Sequence, residues 1–218
     1  MMELFYHPLS RYSQKVLLAL YEKQANFFPR VIELSDPLSR QDFSLFYPPG
    51  KVPLLKSKQE ILIPESSIII EYVDNEFPQK GTRLIPLDTS ISLDTRLQDR
   101  LIDLELSNTL FEFEQQQLNP ETSNQIKLKQ LEKHINRFLQ YLDDILEKNH
   151  WLCGDSLTLA DCALIPCLPY ARTHFQLFKY DNLSRYWAQA QLRGAYLQVK
   201  EEIELAQTEV LVGRRPIP

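Results

Sequence analysis

Hydrophobic positions in the first eighty residues change repeatedly between a strand pattern and a helix pattern. Short apolar or aromatic runs predict strands at 3–7, 27–34, 52–56 and 60–64, and apolar residues at helical spacing predict helices at 13–23, 39–48 and 66–77. The predicted order is therefore β-α-β-α-β-β-α. Alternating elements followed by a hairpin indicate one mixed sheet with helices on its faces.

Beyond this region the apolar spacing becomes purely helical. Long helices are predicted at 90–117 and 122–147, further helices begin near 158 and 183, another covers 194–208, and an irregular tail starts at 212. Proline and glycine mark the junction between the two patterns. We therefore predict an α/β domain at 1–80, a linker at 81–89 and an all-helical bundle domain at 90–218.

Charge and composition exclude several classes of protein. The 218 residues carry a net charge of −5 and their basic residues are scattered, so no nucleic-acid partner is expected. The apolar stretches are shorter than the roughly 20 residues of a membrane helix, and the N-terminus does not resemble a signal peptide. No membrane partner is expected, and a cytoplasmic location is predicted.

Cysteine, glycine and histidine show no familiar metal or cofactor pattern. The three cysteines at 153, 162 and 167 lie in one apolar region without CxxC spacing, which is typical of small buried side chains. Five glycines cannot form a GxGxxG or P-loop motif, and the four histidines are scattered. No metal site is expected, although His7 adjoins an unusual turn.

That turn, "LSRYS" at 9–13, joins the first strand to the first helix. Ser10 can cap the helix, and its hydroxyl can also face an anion. A helix N-terminus carries about half a positive charge, so an anion such as a thiolate is stabilised there. The residues alone leave both interpretations open.

Two further segments allow similar pairs of interpretations. In "GKVPLL" at 50–55, Pro53 either begins an edge strand in trans or forms a cis bond that turns the Val52 backbone towards a peptide ligand. In "PESSIII" at 64–70, Glu65 and Ser66 either start a helix or bind the ammonium and carboxylate of an amino acid.

A fourth segment, "SLTLADCAL" at 156–164, is a folding signal. Thr158 and Asp161 have the spacing of a capping box, and Leu157 and Cys162 can pack as its hydrophobic staple.

With "LFYHP", "PESSIIIEYVDNEFP" and "ALIP", these segments resemble the cytosolic glutathione transferase family over nearly the whole chain. The resemblance implies a thioredoxin-like N-terminal domain, an all-helical C-terminal domain and a homodimer. It also implies an enzyme that conjugates the thiolate of glutathione to a small electrophilic or hydrophobic substrate, with no cofactor beyond this co-substrate.

Particular residues acquire roles through this resemblance. Pro53 corresponds to the family's cis proline, and the Val52 backbone would pair with the cysteinyl part of glutathione. Glu65 and Ser66 would hold the γ-glutamyl end, and Lys51 would lie near the glycyl carboxylate.

The resemblance offers two candidate donors to the sulfur. Ser10 falls where serine-type members place their catalytic hydroxyl, and Tyr6, the second choice, falls where tyrosine-type members place theirs. No cysteine is present at this turn, which argues against a reductase that uses a protein thiol. Candidate walls for the electrophile are Phe111, Phe113, Tyr170 and Phe175.

A second hypothesis is a regulator without transferase activity. "EYVDNEFP" is also similar to the stringent starvation protein A branch of this fold, which binds RNA polymerase. That branch has an acidic side chain where this chain has Ser10. Because a carboxylate would repel a thiolate and a hydroxyl would not, the enzyme is the favoured hypothesis.

Overall fold

The computed structural model describes residues 1–118 and 123–211, with side chains to 208. These residues form two compact units: 1–84 with the segment from Arg193, and 85–192. The tail predicted to be irregular, 212–218, and the predicted helix start at 122 lie outside the described residues. No helix in the described part of the chain combines the length and apolarity needed to cross a membrane.

The first unit confirms the predicted order of strands and helices. Its elements are β1 Met2–Tyr6, α1 Arg11–Glu22, β2 Phe27–Val31, α2 Pro37–Phe46, β3 Leu54–Lys56, β4 Leu62–Pro64 and α3 Ser66–Glu76. The sheet order is β2-β1-β3-β4, with β1 parallel to β2 and antiparallel to β3, and with β3 and β4 forming the predicted hairpin.

The strand register decides which loops meet. Phe5 of β1 lies opposite Leu54 of β3, which in turn lies opposite Pro64 of β4. The end of β1, the start of β3 and the end of β4 therefore share one edge of the sheet. Ser10, Val52 and Glu65 of the predicted segments lie within four residues of these strand ends.

The last helix, α10 Gly194–Leu211, belongs to the first unit, whereas the sequence placed it in the helical domain. It packs against α1. Arg193, the residue before α10, forms an ion pair with Glu22, the last residue of α1, with Nε and Oε1 2.5 Å apart. The periodicity of a helix predicts its apolar face but not the element that covers that face, which explains the difference. The linker at 81–89 stays a prediction.

The regular elements that the structure describes in the second unit are helices. They are α4 Thr89–Leu101, a π-helical turn Ile102–Ser107, α5 Asn108–Leu118, α6 Gln125–Leu146, α7 Leu159–Leu164, α8 Cys167–His174, a 3-10 turn Leu177–Lys179 and α9 Asp181–Ala190. The predicted helix at 90–117 is thus interrupted by the π turn. The predicted helices near 158 and 183 are present, but α8 was not predicted separately, and Pro166 marks the break before it.

The predicted capping box at Thr158 is confirmed. Asp161 is fully buried and accepts hydrogen bonds from the backbone of Thr158 at 2.7 Å and of Leu152 at 3.0 Å. Burial nevertheless raises the pKa of this carboxyl above its ordinary value.

The cysteines are free, as expected, and Cys162 and Cys167 are buried. Cys153 is only partly buried, which differs from the expectation. Burial still raises the pKa of the Cys153 thiol to about 12, so it is a poor nucleophile at neutral pH.

Candidate functional site

Ser10 is the N-cap of α1, where the sequence placed it. The Ser10 Oγ accepts a hydrogen bond from the Ser13 backbone N–H at 3.4 Å. The Ser10 backbone N–H donates to the His7 carbonyl at 3.0 Å. A hydroxyl has one proton to donate and two lone pairs to accept with. The cap therefore uses an acceptor of Ser10 and does not consume its proton, so capping and anion binding are compatible.

His7 holds this turn in shape and is 3% exposed. Its Nδ1 accepts from the Leu9 backbone N–H at 3.2 Å, and its Nε2 lies 3.5 Å from a carboxylate oxygen of Glu33. Because Nδ1 is the acceptor, the ring proton is assigned to Nε2, which faces Glu33. The histidine thus positions the loop that carries Ser10.

Tyr6 lies within β1, is 4% exposed and donates its hydroxyl proton to Glu202 of α10 at 2.7 Å. Tyr21 of α1 donates to the other oxygen of the same carboxylate. The pKa of Tyr21 is raised well above its usual value, mainly by burial and secondly by this hydrogen bond. The two candidate hydroxyls therefore differ, since Tyr6 donates to a carboxylate of its own chain.

The loop before β3 carries the second predicted segment. The Val52–Pro53 peptide bond is cis, as the resemblance implies. Pro53 is buried, Val52 is half-buried two residues before Leu54, the first paired residue of β3, and Lys51 is exposed. The Lys51 side chain is therefore accessible from solvent.

Glu65 and Ser66 meet at the start of α3. Glu65 occupies the N-cap position with φ +68° and ψ 119°, and its side chain makes no capping hydrogen bond. Such a backbone conformation is unfavourable for a residue with a Cβ and is often found at functional sites. Ser66, 6% exposed, is the first helical residue instead of the cap. A purely capping interpretation therefore fits neither residue.

The four aromatic candidates for the electrophile site do not form a single surface. Phe113 packs on Phe175 with ring centroids 5.2 Å apart, and both are buried in the core of the second unit. Phe111, two residues along α5, is 57% exposed, and Tyr170 is half-buried. Only Phe111 and Tyr170 retain appreciable surface for a bound molecule.

Two features of this region were not predicted. Glu202 is 196 residues from Tyr6, and no sequence signal joins them. Lys15 of α1 donates a hydrogen bond to Ser67 of α3 at 2.9 Å. The segment "SSIII" shows a second serine beside Ser66, but nothing in the sequence indicates that this serine meets Lys15. Among the described residues, no group of three or more metal-ligating side chains comes together.

The first unit is thioredoxin-like, because it has a four-stranded sheet in the order β-α-β-α-β-β-α and a cis proline before β3. It is joined to a helical second unit. Family models agree. The glutathione S-transferase N-terminal domain matches residues 4–81, and the glutathione S-transferase C-terminal domain matches residues 103–190.

Individual relatives extend this match. Glutathione S-transferase 3 of Zea mays is 30% identical over 180 residues, which cover 78% of this chain and 79% of the relative. Glutathione S-transferase F6 of Arabidopsis thaliana is 28% identical over 77% of this chain and 82% of its own length. A glutathione S-transferase structure from Methylobacillus flagellatus, with GSH bound, is 26% identical, has a TM-score of 0.81 and covers 91% of this chain and 98% of that one.

The chain belongs to the glutathione S-transferase family, and the prediction of the family and its fold is confirmed. It is an enzyme of the glutathione S-transferase type, for which glutathione is the co-substrate. These three relatives are all named as transferases, so none of them favours the regulator hypothesis.

Proposed function

We propose that this enzyme conjugates the thiolate of glutathione to a small electrophilic substrate and that Ser10 stabilises the thiolate. One observation carries the proposal. The Ser10 hydroxyl accepts from Ser13 at the N-terminus of α1 and so keeps its proton for an anion. The Tyr6 proton is already donated to Glu202, which supports Ser10 over Tyr6.

The energies are adequate for this role. A free thiol has a pKa of about 8.5, and lowering it by two units requires about 2.7 kcal/mol. A hydrogen bond to a charged group contributes about 1.5–3 kcal/mol, and a helix N-terminus adds about 0.3–1 kcal/mol. The thiolate then forms a C–S bond with the electrophilic carbon, and a leaving group departs with its electron pair or a double bond takes up a proton. No covalent bond to the protein is required.

The rest of the glutathione molecule is proposed to lie along the same sheet edge. The Val52 backbone before Pro53 pairs with the cysteinyl part, and Lys51 attracts the glycyl carboxylate. Glu65 binds the γ-glutamyl ammonium, and Ser66 binds the carboxylate at the start of α3. The shared edge, the strained φ of Glu65 and the first-turn position of Ser66 support this arrangement.

The second unit is proposed to supply apolar surface for the electrophile, with Phe111 and Tyr170 as its main candidates. Phe113 and Phe175, which pack on each other in the core, are kept as the less exposed candidates. The location of the enzyme is proposed to be the cytoplasm, in keeping with its free cysteines.

The test of Ser10 is the ultraviolet absorbance of the bound thiolate as a function of pH. Ser10→Ala should raise the pKa of bound glutathione and lower turnover by about 100-fold, the usual cost of losing one catalytic donor, with little change in glutathione affinity. Tyr6→Phe is the matched hydroxyl deletion and should leave the titration in place. A shift in Tyr6→Phe alone would assign the role to Tyr6, and binding without turnover in the unaltered protein would contradict the proposed reaction.

A homodimer is proposed as the working form. Leu93 and Leu97, one turn apart on α4, are 69% and 52% exposed. Nearby, a shallow cavity of about 300 Å³ is lined by Leu101, His134, Arg137, Phe138 and Tyr141. Exposed leucines beside an apolar cavity are typical of a surface that a partner covers.

Light scattering at micromolar concentration tests the dimer. Leu97→Glu should produce monomers because it places a charge in the proposed interface, whereas Leu205→Glu, on an exposed site of α10, should not. A monomeric unaltered protein would refute the proposal.

A further inference from the structure

Lys15 is an unusual residue of the first unit because its side chain is only 1% exposed. It lies in α1, five positions after Ser10. Burying an ammonium group is costly unless polar groups surround it. Its Nζ donates to Ser67 Oγ at 2.9 Å, which gives the charge a defined position between α1 and α3.

Ser67 is the second residue of α3 and directly follows Ser66. The hydrogen bond from Lys15 therefore joins the helix that begins at the proposed sulfur site to the helix that begins at the proposed carboxylate site. It also brings a positive charge to the first turn of α3, where the helix dipole already favours an anion. The hydrogen bond to Ser67 and the positive charge would both act on the γ-glutamyl end of the proposed glutathione ligand.

We propose that Lys15 is a positioning residue that tunes glutathione affinity through the carboxylate of the γ-glutamyl group. This inference rests on the proposed function. Lys15 acts through Ser67, which it holds in place beside Ser66, and through its charge, which favours the carboxylate over a neutral group. The buried ammonium thus contributes to recognition of the ligand as well as to the packing of α1 on α3.

The test combines protein variants with altered ligands. Lys15→Met keeps the length of the side chain and removes the charge, Lys15→Arg keeps the charge, and Lys58→Met removes an exposed lysine in the β3–β4 turn as a control. The ligands are glutathione, 4-aminobutyryl-cysteinylglycine, which lacks the γ-glutamyl carboxylate, and glutaryl-cysteinylglycine, which lacks the amino group. Calorimetry gives the dissociation constant of each pair.

Lys15→Met should raise the dissociation constant for glutathione and for the analogue without the amino group by about tenfold, the usual effect of losing one charge-assisted interaction. It should leave binding of the analogue without the carboxylate unchanged. Lys15→Arg should restore most of the affinity, and Lys58→Met should change nothing. The pKa of the bound thiol should stay the same in all variants, because Lys15 acts at the other end of the ligand.

Equal weakening of all three ligands would show a purely structural role and overturn the inference, as would unchanged binding of glutathione. If Lys15→Met does not fold, Ser67→Ala provides the test, because it removes the acceptor with little change in volume. Ser67→Ala should raise the dissociation constant for glutathione by about threefold and leave that for the analogue without the carboxylate unchanged. An equal change for both ligands would overturn the inference. Absence of glutathione binding by the unaltered protein would instead refute the proposed function.

Discussion

Asp161→Ala should destabilise the second unit more than most single substitutions, because one buried carboxylate serves several donors. Its oxygens accept from the backbone N–H of Thr158 at 2.7 Å and of Leu152 at 3.0 Å, from the Thr158 hydroxyl at 2.9 Å and from the Tyr186 hydroxyl at 3.1 Å. Alanine removes the acceptor for all of them.

The two backbone amides determine the magnitude. A buried donor left without a partner costs about 1–3 kcal/mol, and the hydroxyls can rotate whereas the amides cannot. Relief from burying the charge of Asp161 offsets part of this loss, in keeping with its raised pKa. We expect a net loss of about 3 kcal/mol, which lowers the melting temperature by roughly 6–12 °C in a chain of this size.

Tryptophan fluorescence during urea unfolding is a selective assay for this change. Both tryptophans of the chain, Trp151 and Trp187, are buried in the second unit. The Trp151 ring packs edge-on against the ring of Tyr186, with centroids 5.5 Å apart. The fluorescence transition therefore follows the unit in which Asp161 lies. Its midpoint should move to lower urea concentration in the alanine variant.

Asp155→Ala is the matched control, since Asp155 is exposed in the same loop region and should change the stability by less than about 0.5 kcal/mol. A loss below about 1 kcal/mol in Asp161→Ala, or an equal loss in the control, would refute the reasoning that the capping box anchors this unit.

Two other predictions concern pH and backbone conformation. Because burial raises the pKa of Asp161 above its ordinary 3.8, the part of the stability that is linked to its protonation is fully present below that pH and is lost as the pH rises through the folded-state pKa. The hydrogen bonds from the two backbone amides are a separate contribution. Asp161→Asn should lack the pH-dependent loss, and stability–pH curves that run parallel for the two proteins would contradict this prediction. Gly81→Ala should destabilise the first unit by more than about 1 kcal/mol, because Gly81 has φ +57° and a Cβ there would lie 1.7 Å from the Glu22 carbonyl oxygen. Gly194→Ala, where a Cβ meets nothing within 4 Å, is the control, and equal midpoints by circular dichroism would refute the steric argument.

Local patterns predicted much of this protein. The order of strands and helices in the first eighty residues, the N-cap at Ser10 and the capping box at Thr158 all depend on residues within about four positions of one another. Such signals survive in the sequence because helix caps and apolar periodicity are short-range properties. The π-helical turn at Ile102–Ser107 is an exception, for no local signal in the sequence predicted it.

The tertiary structure decided which of these local features meet. Sheet register brings the ends of β1 and β4 beside the start of β3, and helix packing delivers Glu202 to Tyr6 and Lys15 to Ser67. These partners are separated by 52 to 196 residues, and their pairing depends on how whole elements pack. The sequence by itself therefore determined the elements and ranked the candidate residues. Only the folded chain showed that the Tyr6 hydroxyl donates to Glu202, because a hydroxyl has a single proton and long-range packing decides which acceptor receives it.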